Sequence, residues 1–471
     1  MKKIEDSLTK NWRFWRDDKG CRQFMAIFKE KTMKKTSTSE LKKILSSDSD
    51  IIDTEIEKVV TDSRKIEKNA LFVAIKGEKF DGHNFVAKAL EEGCALAVVE
   101  HLVGNAPANR QLVVEDTLEA YGKLGAYNRE SFKGKIIGLT GSAGKTTTKE
   151  EIKYLLSSFG KVYATGGNHN NHIGVPQTLL EMDMSADYAV IEMGMSSKGE
   201  ISRLTSYVKP DVALVTNVYP MHIEFFESFE GIAEAKAEIF EGLPKNGTAI
   251  INEDTNFANI LEKRAREHVK NVVFFGKNNH FDGKLELSED GEIQRYNAWA
   301  ALKVAEVLGL DCQKAADKLK DFGALDGRGK KHIVNLTKGG QFMLIDDSYS
   351  GQPEAMRIAI KSLDKMECRG RKIAVLGKMA ELGDFSKKEH IAVGKVLADT
   401  NIDIVVGVKP ETKDILAQLP ERVEQYYFDN KDGLAEFLLN KLLQNGDILL
   451  IKGARYSSEL YKVTDELLKG L

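Results

Sequence analysis

The apolar positions of this chain fall into short continuous runs separated by longer amphipathic stretches, and that alternation predicts its elements. "LKKIL" reads as a helix, and "ALFVAIKG" (70–77) and "ALAVVE" (95–100) read as β-rich segments flanking the helical "NFVAKALEEG". Together they predict a small α/β unit. After "GKLGAYNRESFKGK", a helix with a Gly/Lys exit, the strand candidates "KIIGLTG", "DYAVIEMG", "DVALVTNV", "GTAIIN" and "NVVFFG" alternate with helical runs. Such alternation predicts a parallel sheet with helices on both faces. A third block opens near "ALDGRGK" (324–330) and repeats the pattern with "FMLIDD", "KIAVLG", "DIVVGV" and "DILLIKG", so a second doubly wound sheet is expected. The reading is an α/β protein of three domains, 33–130, 131–326 and 327–471, with no internal repeat or low-complexity tract.

Residues 1–32 carry charges and scattered aromatics without a clean period. They are compatible with a true extension, a partner-binding segment or an upstream start, and Met33 opens a second plausible start.

Composition narrows the function classes. The chain has 471 residues, 42% hydrophobic and 30% charged, which suits an ordinary globular protein with room for several cores. A net charge of -3 gives no global reason to expect nucleic acid or an anionic membrane as partner. Four cysteines, Cys21, Cys94, Cys312 and Cys368, lie far apart with no CxxC pair, so neither a disulfide framework nor a structural zinc site is suggested. No apolar run approaches the roughly 20 residues of a membrane helix, and the N-terminus is too polar for a signal peptide. A cytoplasmic protein is expected.

Chemistry enters at "GLTGSAGKTTTKE" (138–150), between the strand "KIIGLT" and the helix "TTTKEEIKYLLSSFG". This is the context of a phosphate loop. Gly141, Ser142, Ala143 and Gly144 are small enough for backbone N–H groups to close around phosphate oxygens, and the helix N-terminus adds partial positive charge. Lys145 can reach β- and γ-phosphates, the Thr146 hydroxyl can ligate Mg²⁺, and Thr147 completes the first turn. Leu139 stands where the first glycine of GxxxxGK[ST] would be. The loop is read as holding ATP or GTP phosphates. Glu192 ends one apolar strand, and His222 follows another. At the carboxyl ends of strands in an open α/β sheet, both would face the ligand crevice as candidate metal ligands. Lys236, in "GIAEAKAEIF", reads on its own as a solvated helix lysine.

These motifs, with "TDSRKIEKNALFVAIKGEKFDGHNFVAKALEEGCALAVV", "GNHNNHIGVPQTLLEM", "ALDGRG", "LIDDSY", "AVLGKMAELGDFS" and "LIKGARYSSEL", resemble the Mur ligases, ATP-dependent amide-forming enzymes of peptidoglycan assembly. The resemblance runs from about Thr61 to Lys469 and is nearest to the D-alanyl-D-alanine-adding branch. It implies an N-terminal UDP-substrate domain, a central ATPase domain and a C-terminal Rossmann-like domain closing over the nucleotide. The implied substrates are UDP-N-acetylmuramoyl-tripeptide and D-alanyl-D-alanine, with ATP and Mg²⁺. Residue by residue, it puts Ser63 and Arg64 at the UDP-muramoyl part and Asn170 and Asn171 near the muramoyl-peptide. Glu192, His222 and Lys236 would hold a second Mg²⁺, with Lys236 carbamylated. Asn297 would lie near the adenine, and Arg328 and Asp347 would reach the ATP. A monomer without nucleic-acid or membrane partners is expected.

The chain departs from the family pattern in two places. The stretch between "VVFFGK" and "RYNAWAA" is short and lacks the "HN" expected before Asn297. Ser350, Gly351 and Gln352 stand where the family reads Asn-Ala-Asn. Alternatives are a Mur-type ligase with another amine, such as the third-residue-adding enzyme, whose DNPR motif is missing here. Folylpolyglutamate synthase shares the loop but lacks the "DSR…FDGH" domain. A non-catalytic homologue is disfavoured because Lys145, Glu192, His222 and Lys236 are all present.

Overall fold

The computed structural model describes residues 33–77, 80–219, 225–226, 228–289 and 291–470. They form two compact units: one ends at Ser131 and also takes in Leu180–Asp183, and the other comprises Phe132–Leu179 and the chain from Met184 onward.

The first unit is built on a parallel sheet of β1 (Val59–Val60), β2 (Leu71–Val73), β3 (Leu96–Val99) and β4 (Gln111–Val113), in that order. Its two faces bury alternate residues of the same strands. Leu71, Val73, Leu96 and Val98 pack with Leu41 and Leu45 of α1 (Thr38–Leu45) and with Leu124 of α2 (Thr117–Arg129). Phe72, Ala97 and Val99 pack with Val86, Ala89 and Leu90 on the other face. Both helices start on side-chain caps: Ser37 accepts from the Glu40 N–H, and Asp116 from Leu118 and Glu119. Met33 is buried in the first of these cores, and its N–H donates to the Glu57 carbonyl at 2.8 Å. Residues 1–32 lie outside the described residues. A chain begun at Met33 is expected to match the full chain in thermal midpoint and turnover. A drop in either would show that residues 1–32 contribute.

The second unit carries two six-stranded sheets. The first has the order β10-β9-β8-β5-β7-β6, all parallel, from β5 (Lys135–Thr140), β6 (Val162–Ala164), β7 (Tyr188–Glu192), β8 (Val212–Val215), β9 (Thr248–Asn252) and β10 (Asn271–Phe275). One face of it, through Ile137, Leu139, Val190, Leu214 and Ile250, packs on α3 (Lys145–Leu156), α4 (Glu292–Val307) and α5 (Cys312–Leu319). The second sheet has the order β11-β12-β16-β13-β14-β15, from β11 (Lys330–Asn335), β12 (Gln341–Asp347), β13 (Lys372–Gly377), β14 (Ile404–Val408), β15 (Glu424–Phe428) and β16 (Ile448–Lys452). Only the edge strand β11 runs antiparallel to its neighbour. Here too the faces alternate: Ile373 and Val375 join one core, Ala374 and Leu376 the other. That double coverage explains the unbroken apolar runs of these strands.

The short stretch 276–289 holds neither helix nor strand. Its Phe281, Leu285 and Leu287 lie against the core beside Trp299, so apolar anchors rather than a ladder fix it.

Candidate functional site

β5 delivers the chain into the loop 141–144, and α3 begins at Lys145. Gly144 sits at φ +77, and a Cβ there would stand 2.6 Å from Asn297 Oδ1, so glycine is required on two counts. No side chain caps α3. The loop is held from the side by the end of β8. Ser142 N–H donates to the Asn217 carbonyl at 3.0 Å and Ala143 N–H to Asn217 Oδ1 at 2.7 Å. Thr216 Oγ1 donates to the Ala143 carbonyl at 2.8 Å, and Ser142 Oγ to that of Tyr219 at 3.0 Å. Asn217 thus occupies two of the amides the sequence suggests for phosphate, which shifts the open donors toward the first turn of α3, Lys145 to Thr147.

Lys145 Nζ rests on its own loop, 2.7 Å from the Gly141 carbonyl and 3.4 Å from that of Ser142. Burial and the nearby Arg328 lower its pKa, against the carboxylates of Glu192 and Glu381. Arg328 crosses from the linker to donate through Nη2 to Thr146 Oγ1 at 2.9 Å. Its direction is set by Gly327 and Gly329, both in the left-handed region at φ +73 and +84. Asp346 pins that turn, accepting from Gly327 N–H at 2.9 Å through Oδ2 and from Gly329 N–H at 2.8 Å through its carbonyl. The Arg328 guanidinium also stacks 4.2 Å from the Tyr349 ring centroid, with Arg455 5.3 Å from the same ring.

Glu192, at the end of β7, is 1% exposed. Its N–H donates to Thr165 Oγ1 at 3.0 Å and its Oε1 accepts from Asn170 Nδ2 at 2.8 Å, while Oε2 has no hydrogen-bond partner among the described residues. Lys236 is 2% exposed on the helix Phe229–Ala237, not on a solvated face. Burial first, then the Lys145 charge, pushes its amine well below the ordinary lysine range. No group of three His, Cys, Asp or Glu side chains able to hold a metal occurs among the described residues. The donor set nevertheless suits Mg²⁺: a Glu192 carboxylate oxygen without a hydrogen bond, a hydroxyl at Thr146 and a buried lysine whose neutral amine is favoured. His222 lies outside the described residues.

Other expected residues have structural work of their own. Asn171 Oδ1 accepts from the N–H groups of Ile173 and Gly174 at 3.2 and 2.9 Å, starting the helix Gly174–Leu180. Asn297 Oδ1 accepts from Thr148 Oγ1 at 3.2 Å, against the first turn of α3. Asp347 pairs with Lys452 at 2.6 Å, its register neighbour on β16. Burial raises the Asp347 pKa, opposed by that lysine and by Arg328. In the first unit, Arg64 forks onto Asp62 through Nε and Nη2 at 2.9 and 2.8 Å, and Ser63 lies half-buried beside it. A cavity of about 410 Å³ is lined by Lys277, Gly291, Glu292, Arg295, Tyr296 and Trp299, on a face of α4 that excludes Asn297.

An uncapped helix behind a glycine-rich turn at the carboxyl edge of a parallel sheet, with a lysine at its head, defines a nucleotide-phosphate-binding protein. Family models describe the chain in three stretches: "Mur ligase family, catalytic domain" over 55–129, "Mur ligase middle domain" over 139–307 and "Mur ligase, glutamate ligase domain" over 333–455. The UDP-N-acetylmuramoyl-tripeptide–D-alanyl-D-alanine ligase of Escherichia coli is 35% identical over 442 residues, 88% of this chain and 95% of its own. The crystal structure of MurF from Acinetobacter baumannii matches with a TM-score of 0.83 at 30% identity, covering 93% of this chain and 100% of that one. MurF ligase from Thermotoga maritima in complex with ADP matches at 0.75 and 29% identity, covering 88% and 97%. This chain belongs to the Mur ligase family.

Sequence reasoning missed Asn217, Lys149, Tyr349 and Lys452. Asn217 and Lys452 sit at or just past a strand's carboxyl end, a position that is itself a signal. Lys149 and Tyr349 lie inside quoted motifs, but nothing in the sequence alone marks either one out.

Proposed function

We propose that this chain is an ATP-dependent ligase that joins D-alanyl-D-alanine to the terminal carboxylate of UDP-N-acetylmuramoyl-tripeptide in peptidoglycan synthesis. The observation that carries the reading is the uncapped α3 with Lys145 at its head and Arg328 reaching Thr146 from the linker. Relatives named for this reaction are at least 30% identical over most of the chain. The working assignment gives residues 33–130 to the UDP-substrate, 131–326 to ATP and 327–471 to closure over the nucleotide. A cytoplasmic monomer remains the expectation.

A free carboxylate needs a better leaving group than hydroxide. The acceptor carboxylate attacks the γ-phosphorus of ATP to give an acyl phosphate and ADP. The amine of the dipeptide then attacks the acyl carbon, and phosphate leaves. Transfer of this kind rests on positioning and charge neutralisation. Lys145 supplies charge at the γ-phosphate after leaving the Gly141 carbonyl, and the first-turn N–H groups of α3 hold phosphate oxygens. Arg328 brings a second cation against Thr146. Asn170 orients Glu192 and offers its remaining polar atoms to the acceptor peptide, with Asn171 shaping the turn beside it. Ser63 and Arg64 are assigned to the UDP-muramoyl moiety, Asn297 to the adenine side and Asp347 to the nucleotide. Thr146, Glu192, His222 and Lys236 as a carbamate would hold Mg²⁺, which when bound supplies further neutralisation of phosphate charge.

The segment 350–352 favours testing a second amine. Gly351 packs so closely on the backbone of Ala454 that a Cβ there would force a shift, so the family's Ala is excluded in this conformation. Phosphate release with ATP, Mg²⁺ and the UDP-tripeptide should rise well above background with D-alanyl-D-alanine. It should not rise with single amino acids or diamino acids. Preference for one of those would assign the chain to another amine.

A further inference from the structure

Lys149 is among the largest fully buried side chains of the chain, and no step above uses it. It lies one turn beyond Lys145 on α3, so both lysines project from one face of the helix. A buried ammonium needs partners, and Lys149 has them on an adjoining segment. Nζ donates to the carbonyls of Thr165 and Gly167 at 2.7 and 3.1 Å. Glu150 Oε1 stands 3.1 Å away, and Glu192 Oε2 at 3.9 Å, within charge range but beyond hydrogen-bond reach.

Thr165 to Gly167 form the bend that leads into Asn170, and this bend is tied down at few other points. Thr165 donates its N–H to the Val190 carbonyl at 3.0 Å and accepts at Oγ1 from Glu192 N–H. Asn170 reaches Glu192 through Nδ2 and accepts from Gly194 N–H at 2.7 Å. Gly166 and Gly167, the latter at φ +51, have open space where a Cβ would be, so side-chain packing does not fix them. Among the described residues, Lys149 ties α3 to this bend through its two hydrogen bonds.

We infer that Lys149 is a positioning residue that couples the phosphate-loop helix to the 165–171 segment and so sets where Asn170 stands for the acceptor. The inference rests on the assignment of Asn170 to the acceptor side. It predicts a split in kinetic constants that loss of stability alone would not give.

Lys149→Met, close in length and apolar, is expected to raise the acceptor KM about tenfold and to leave the ATP KM within about twofold. Amide hydrogen exchange in the full chain should accelerate over 165–171 and stay unchanged over 141–148. Should Lys149→Met fail to fold, Lys149→Gln, which keeps a donor without the reach, is read the same way. Unchanged exchange over 165–171, or equal changes in both KM values, would overturn the inference. Asn170→Ala separates the two layers: a normal acceptor KM in that variant would overturn the acceptor assignment. Faster exchange over 165–171 in Lys149→Met would still establish the anchor.

Discussion

Lys145→Ala is expected to reduce ligation to a few per cent of wild type or less, the order of loss found when one charged or oxyanion-type donor is removed. Nothing else in the loop supplies a cation. The N–H groups of Ser142 and Ala143 are already bonded to Asn217. Arg328 is committed to Thr146 and to the Tyr349 face. The other donors of the loop 141–144 are backbone amides, which supply dipoles but no net charge at the γ-phosphate. The fold should survive, because among the described residues Lys145 bonds only carbonyls of its own loop. Product formation by chromatography, beside an unchanged thermal midpoint, checks the prediction. Substantial turnover would remove the phosphate-loop assignment.

Lys236 gives the second large effect. Its amine is almost wholly buried beside the charge of Lys145, and both burial and that charge favour the neutral form. A neutral amine adds CO₂, giving a carbamate with two hard oxygens of the kind Mg²⁺ takes. Lys236→Ala should lose most activity, and a short carboxylate in the buffer should restore part of it. Lys236→Arg should stay inactive, because a guanidinium keeps its charge and offers no ligand oxygen. The pH dependence has a definite sign. Because the folded pKa is depressed, the amine stays neutral to lower pH than an ordinary lysine, and activity carried by the carbamate falls as pH drops through that value. After exposure to ¹³C-labelled CO₂, the wild type should show a carbamate carbon by NMR that Lys236→Arg lacks. Normal turnover by Lys236→Arg would leave Lys236 a structural residue.

Most of the fold was legible because its central strands are covered on both faces and read as unbroken apolar runs. The strands that escaped are at edges or are short. β11 reads "KKHIVN", β15 "EQYYF" and β6 only "VYA", and none has the fully buried pattern of β16. A polar edge strand looks like a loop when only hydrophobicity is read. Among the candidate site residues, Gly141 to Thr147 stand out in the sequence because strand, glycines, lysine and helix are consecutive. Asn217 was not, since its role depends on β8 lying beside β5. The pairing of Asp347 with Lys452 likewise depends on register across 105 positions of sequence. Lys236 reads as a solvated helix lysine because a helix period does not reveal which face a later segment will cover.

The most direct test of the account follows oxygen. UDP-N-acetylmuramoyl-tripeptide labelled with ¹⁸O in its terminal carboxylate is incubated with the enzyme, ATP, Mg²⁺ and D-alanyl-D-alanine. The masses of the ligated product and of inorganic phosphate are then measured. Activation through an acyl phosphate predicts a product that has gained the dipeptide and kept one label, with the other label in inorganic phosphate. Label in AMP, or absence of the dipeptide adduct while ATP is consumed, would contradict it.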